Sequence, residues 1–146
     1  MNNFQSWLSL ALWLAGLGHF CILGASFQVP SRLGWKADLA QLTPFNRKLM
    51  WVYAGTTLLT IIAFGIMTLA LHKELLRGDR AALALAAFIA VFWSLRIVVD
   101  LTYFNHADWP VGRQFVIGHF FLAALFAALA STYWTVLIWN LMKNGS

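Results

Sequence analysis

The sequence predicts an all-α integral membrane protein, a bundle of four transmembrane helices. Three observations predict it. Four apolar runs each approach or exceed the roughly 20 residues that a helix needs to cross the hydrocarbon core. Of the 146 residues, 61% are hydrophobic and only 10% are charged, against about 25% charged in soluble domains. Tryptophans recur near the ends of the apolar runs, as in the aromatic belts at the two membrane interfaces. Alternating short segments, which a membrane β-barrel would show, are absent. The length suggests a single membrane domain, 1–146.

The first helix is expected over 4–27. "MNNFQSW" has no basic region ahead of the apolar run and no small-residue cleavage site after it, so this run is expected to stay in the chain. The 28–48 segment is long for so compact a protein. Within it "SRLGWKADLAQL" mixes Leu33, Trp35, Leu39 and Leu42 with Arg32, Lys36 and Asp38. It reads either as a short interfacial helix acting as a lid or as a connecting loop with an aromatic anchor. Ser31 is its candidate cap, and Pro44 is expected to end it.

The second helix is expected over 49–71, followed by the turn "HKELLRGDR" at 72–80. The third covers 81–104. A turn follows at 105–114, with His106, Trp109 and Pro110, and the fourth helix covers 115–142. Four crossings put both termini and the 72–80 turn on one side, the base. The 28–48 and 105–114 connections lie opposite, at the rim. Trp7, Trp134 and Trp139 are expected near the base interface, Trp35, Trp51 and Trp109 near the rim, and Trp13 and Trp93 between helices. His72 reads as a solvated helix end and Cys21 as a small packing residue. Lysine and arginine divide almost evenly between the two faces, so orientation is not fixed.

The polar residues inside the apolar runs carry the functional expectation, because intramembrane ionisable groups are costly and usually face the bundle interior. Arg96 and Asp100 are spaced i, i+4 and can pair on one helix face, which Trp93 and Tyr103 extend. Counted from the expected rim ends at about 1.5 Å per residue, Arg96 and His19 lie ~12 Å deep, and Asp100, Tyr53 and His119 ~6 Å deep. Thr56, Thr57 and Thr60 continue a stripe below Tyr53. The base half is expected to be nearly all apolar, apart from Tyr133, Thr68 and a few small hydroxyls. Leu12, Ala15, Gly16, Leu23 and Ser26 share the His19 face and would let another helix or a flat ligand approach.

The net charge of +5 is spread over loop ends and points to lipid head groups in a bilayer, such as a bacterial inner membrane, rather than to nucleic acid. One cysteine leaves no intrachain disulfide or Cys-based metal cluster. The CxxC, HExxH, phosphate-loop, EF-hand and GxSxG patterns are absent.

Three readings of the polar residues follow. In the first, His19, Tyr53, Arg96 and His119 bind a lipophilic redox cofactor, haem b or a quinone. His19 and His119 would be axial metal ligands, and Arg96, Arg47 or Tyr53 would meet haem propionates. In the second, the chain is an enzyme on a lipid or isoprenoid, with Asp100 and His119 as general acid or base. In the third, it is an accessory subunit of a larger membrane complex or a homo-oligomer, with Arg96 and Asp100 fixing helix register. Paired broken helices, the mark of many transporters, are lacking.

Overall fold

The computed structural model describes residues 3–104 and 112–144. His106, Trp109, Pro110 and most of the expected 105–114 turn lie outside the described residues. In chain order the helices are α1 (Asn3–Arg32), α2 (Trp35–Ala40), α3 (Pro44–Ala70), α4 (His72–Arg77), α5 (Arg80–Tyr103) and α6 (Arg113–Asn144). No strand occurs among the described residues. Four of them, α1, α3, α5 and α6, are long and apolar enough to cross a membrane. Phe4 and Trp139 meet at 4.7 Å between ring centroids, which brings the two ends of the chain to one end of the bundle.

The helix ends differ from the sequence reading in ways that local chemistry explains. Helix α1 passes through Pro30 and runs to Arg32. A proline this close to the end removes little of the hydrogen-bond ladder, and Gly34 then stops the helix with a left-handed φ of 67°. Ser31 does not cap α2; its hydroxyl donates back to the Gln28 carbonyl within α1. Pro44 begins a helix instead of ending one. It occupies the first turn of α3, where its missing N–H costs nothing, and the Thr43 hydroxyl accepts from the Asn46 N–H. The 72–80 turn holds the helix α4, closed by Gly78.

Helix α1 packs on α3 and α6, and α5 packs on α6. Helices α3 and α5 meet through the Phe64 ring, 5.8 Å from Phe88 and 5.1 Å from Phe92. Close approach of α1 and α3 depends on small residues. A Cβ on Gly16 would stand 2.7 Å from Leu69 Cγ, and one on Gly65 would stand 3.2 Å from His19 Cβ. Leu12, Ile61, Ile89, Leu129 and Val136 fill the interior, while Leu59, Phe88, Ile117 and Leu141 face outward. Helices apolar on every side suit an apolar surround.

The base end is more polar than expected. His72 is not a solvated end: its Nε2–H donates to the Ser9 carbonyl at 3.1 Å, and its ring lies 5.0 Å from Trp13. Asn140 is fully buried, and its amide donates to the Leu75 carbonyl of α4 at 3.1 Å and to the Val136 carbonyl at 2.9 Å. That first bond satisfies one of the carbonyls that a helix C-terminus leaves open. Gly78, at φ 86°, lies directly against the Asn140 side-chain oxygen, so a Cβ there would collide with it. Gly78→Ala is therefore expected to cost about 2–3 kcal/mol, combining left-handed strain with displacement of Asn140. A thermal denaturation midpoint in detergent checks this; an unchanged midpoint would show that the α4–α6 joint tolerates a side chain.

Three further placements are corrected. Trp13 is 47% exposed rather than packed between helices. Trp134 lies away from the base interface and donates to the Ser94 hydroxyl, next to the buried Trp93. Cys21 faces outward. Each follows from helix rotation, which composition around these residues leaves open because every side of the helices is apolar.

Candidate functional site

The polar residues inside the long helices form two groups rather than one pocket, with the Phe126 ring between them, 5.0 Å from Trp93 and 5.3 Å from Arg96. The first lies at the middle of the bundle and joins four helices. His19 of α1 is fully buried, and its Nδ1–H donates to the Ala15 carbonyl at 2.7 Å. Its Nε2 accepts from the Trp93 indole N–H of α5 at 3.1 Å. The His19 ring also contacts Phe64 of α3 and Tyr133 of α6, at 5.9 and 6.0 Å between centroids. Beside it the Thr68 hydroxyl donates to the Phe64 carbonyl, which leaves the Tyr133 hydroxyl as donor to Thr68. Every polar atom of His19 is thus satisfied within the protein, as burial demands.

That geometry corrects the expected metal role of His19. A ligand histidine must offer a ring-nitrogen lone pair, and here the one lone pair is taken by Trp93 while the other nitrogen carries the proton given to Ala15. The expected nearness in depth to His119, ~12 against ~6 Å, also fails. His19 stands level with Tyr133, which is about 21 Å along α6 from His119. One iron needs its two axial nitrogens within a few ångströms. Depth was counted from assumed helix ends, but the ends are staggered: α1 rises about 20 Å beyond His19 before stopping at Arg32. Among the described residues no three of His, Cys, Asp and Glu gather as metal ligands do.

The second group sits toward the other end of the α5–α6 seam. Asp100 of α5 is at its centre, with a side chain only 11% exposed. One carboxylate oxygen is 3.6 Å from Arg96 Nη1, and the other is 3.2 Å from His119 Nε2 of α6. The first contact is the i, i+4 pair that the sequence suggests; the second links the two helices. The Arg96 guanidinium carbon lies 5.3 Å from the Phe126 ring centroid and 5.8 Å from that of Phe104. Facing a ring attracts a cation and lowers the cost of holding it away from water.

Arg96 carries five N–H donors. At 3.6 Å the contact with Asp100 is an ion pair rather than a hydrogen bond. Nη1 is buried without a hydrogen-bond partner. The side chain as a whole is 39% exposed, so the group is open on its flank. Chemically this is a donor-rich group bordered by aromatic rings toward one end of an apolar bundle.

The other expected members are elsewhere. Tyr53 is 59% exposed on α3. The hydroxyls of Thr56 and Thr57 donate to its backbone carbonyl, and Thr60 donates to that of Thr56. The stripe is turned back on its own helix, the usual way a helical threonine satisfies its hydroxyl. Tyr103 points outward from α5 and is 80% exposed, so it does not share the Arg96 face, whereas Trp93 is buried. Helix α2 seats Leu39 in the fold and meets α3 through Trp35 and Trp51, whose centroids are 5.9 Å apart. Sequence reasoning missed Asn140 and the Trp93–His19 bond. An amide inside the last apolar run was the available signal for Asn140; no spacing rule links residues 19 and 93.

Fold and site together define a class: a helical bundle of membrane-spanning length with an Arg–Asp–His group near one end. No known protein family, curated protein or solved structure matches the chain.

Proposed function

We propose that α1, α3, α5 and α6 cross a lipid bilayer and that the Arg96–Asp100–His119 group binds the carbonyl head of a lipophilic small molecule of the quinone class. The observation that carries this reading is Arg96 Nη1, buried without a hydrogen-bond partner among the described residues, on a guanidinium close to the Phe104 and Phe126 rings. A carbonyl oxygen would supply that partner. A neutral head fits better than an anionic one, because Asp100 already compensates the arginine charge and would repel a second anion. Phe104, half-exposed beside the guanidinium, offers a face for a flat ring. His119 holds Asp100 from the neighbouring helix and so keeps the arginine placed. The outward apolar faces of α5 and α6 would run alongside an isoprenoid tail. The reading is of binding.

Titration of the purified protein with a short-chain ubiquinone analogue, followed by tryptophan quenching, tests the proposal. Arg96→Lys keeps the charge and loses the fork of donors, and is expected to weaken binding by at least about tenfold, the worth of one charge-assisted hydrogen bond. Tyr53→Phe is expected to bind as the parent does. Equal binding by the parent and Arg96→Lys would sink the site, and a Soret band in the purified protein would turn the reading back to haem.

A further inference from the structure

Outside the proposed head-group site, the strongest unexplained feature is the corner where α1, α2 and α3 meet. Trp35 and Trp51 touch there. Arg47 and Lys48 stand one turn before Trp51 on α3, so all three share a helix face. Arg32 ends α1 and Lys36 follows Trp35 in α2. The contact between the two indoles therefore brings α2 and the start of α3, which carry Lys36, Arg47 and Lys48, together beside the α1 end at Arg32. All four are exposed, with Asp38 the one acid in the segment. None of the four makes an ion pair among the described residues, whereas Arg77 at the opposite end is held by Glu74 at 3.0 Å and Asp79 at 3.3 Å. Between the cations Leu33, Leu42 and Phe45 are exposed, Phe45 at 73%.

We propose that this corner binds the head group of an anionic phospholipid. Exposed apolar side chains interleaved with unpaired cations suit the boundary between acyl chains and phosphates. Indoles settle at that same level. The excess of cations over Asp38 selects an anionic over a zwitterionic head. In the sequence these charges share the 28–48 segment, and the contact of α2 with α3 gathers its two ends. The inference rests on the bilayer reading above but not on the Arg96 site.

Short-chain phosphatidylglycerol and phosphatidylcholine, titrated into the delipidated protein in neutral detergent and read by native mass spectrometry and tryptophan fluorescence, test it. The expected result is retention of phosphatidylglycerol over phosphatidylcholine. Arg47→Gln/Lys48→Gln should weaken phosphatidylglycerol binding by about thirtyfold, taking ~1 kcal/mol per cation near an anionic surface and ~1.4 kcal/mol per tenfold. Circular dichroism and quinone quenching should be unchanged in that variant. Equal retention of the two lipids, an unaffected double variant, or displacement by millimolar inorganic phosphate alone would overturn the proposal. A chain that stays monodisperse without detergent would instead overturn the bilayer reading itself.

Discussion

His19→Ala is expected to destabilise the bundle by about 3–5 kcal/mol, which adds the cavity left by a large buried ring to the cost of an orphaned indole N–H. His19 is fully buried, and Trp93 has no other hydrogen-bond acceptor among the described residues. The effect should appear as a lowered thermal midpoint in detergent, with quinone quenching retained below that midpoint because His19 itself makes no contact with Arg96, Asp100 or His119 among the described residues. Trp93→Phe removes the donor and keeps most of the packing, so its cost should be about 1–2 kcal/mol. In a double-mutant cycle the two changes should couple by about 1 kcal/mol or more, since they share one hydrogen bond. Additive effects would mean that the bond contributes nothing and that His19 matters only as volume. A loss of bound ligand in His19→Ala, with folding intact, would return this histidine to the functional site.

The central network and the Arg96 group differ in how far they could be read ahead of the fold. The four long helices follow from run length and composition, because a backbone away from water must satisfy its own hydrogen bonds. The Arg96–Asp100 pair is likewise local, fixed by helix geometry at i, i+4. What fails is everything that depends on the relative level of two helices. His19 and His119 come within ~6 Å in depth only when each is measured from its own expected end, and α1 outruns that end by passing through Pro30. The Thr56, Thr57 and Thr60 stripe fails for a different reason. A threonine hydroxyl on a helix can bond its own backbone, so a polar stripe need not seek a partner helix. The expected contrast between a polar rim and an apolar base fails on Asn140 and His72, which join α4 to the rest of the bundle. Polar residues thus serve assembly at the base and the centre, and two buried polar atoms among the described residues lack a hydrogen-bond partner, Asn140 Oδ1 beside Gly78 and Arg96 Nη1.

Asp100→Leu is expected to be among the most damaging single changes, and Arg96→Met/Asp100→Leu to repair most of that damage. Removing Asp100 alone leaves the Arg96 charge without its counter-ion and His119 Nε2 without its carboxylate. Breaking a buried pair costs about 3–5 kcal/mol. Arg96 is part-exposed and can extend toward the bundle end, which lowers the expected loss here to about 2–3 kcal/mol. The double variant removes both charges, and with them both desolvation costs, so its thermal midpoint should return to within about 1 kcal/mol of the parent in stability. The two variants then separate structure from function. If the pair only sets the register of α5 against α6, the stable double variant should keep its ligand. If Arg96 supplies the donors that receive a carbonyl head, the double variant should fold normally and lose tryptophan quenching by the quinone analogue. Retained quenching in the folded double variant would remove the head-group site and leave Asp100 and His119 as a joint between two helices.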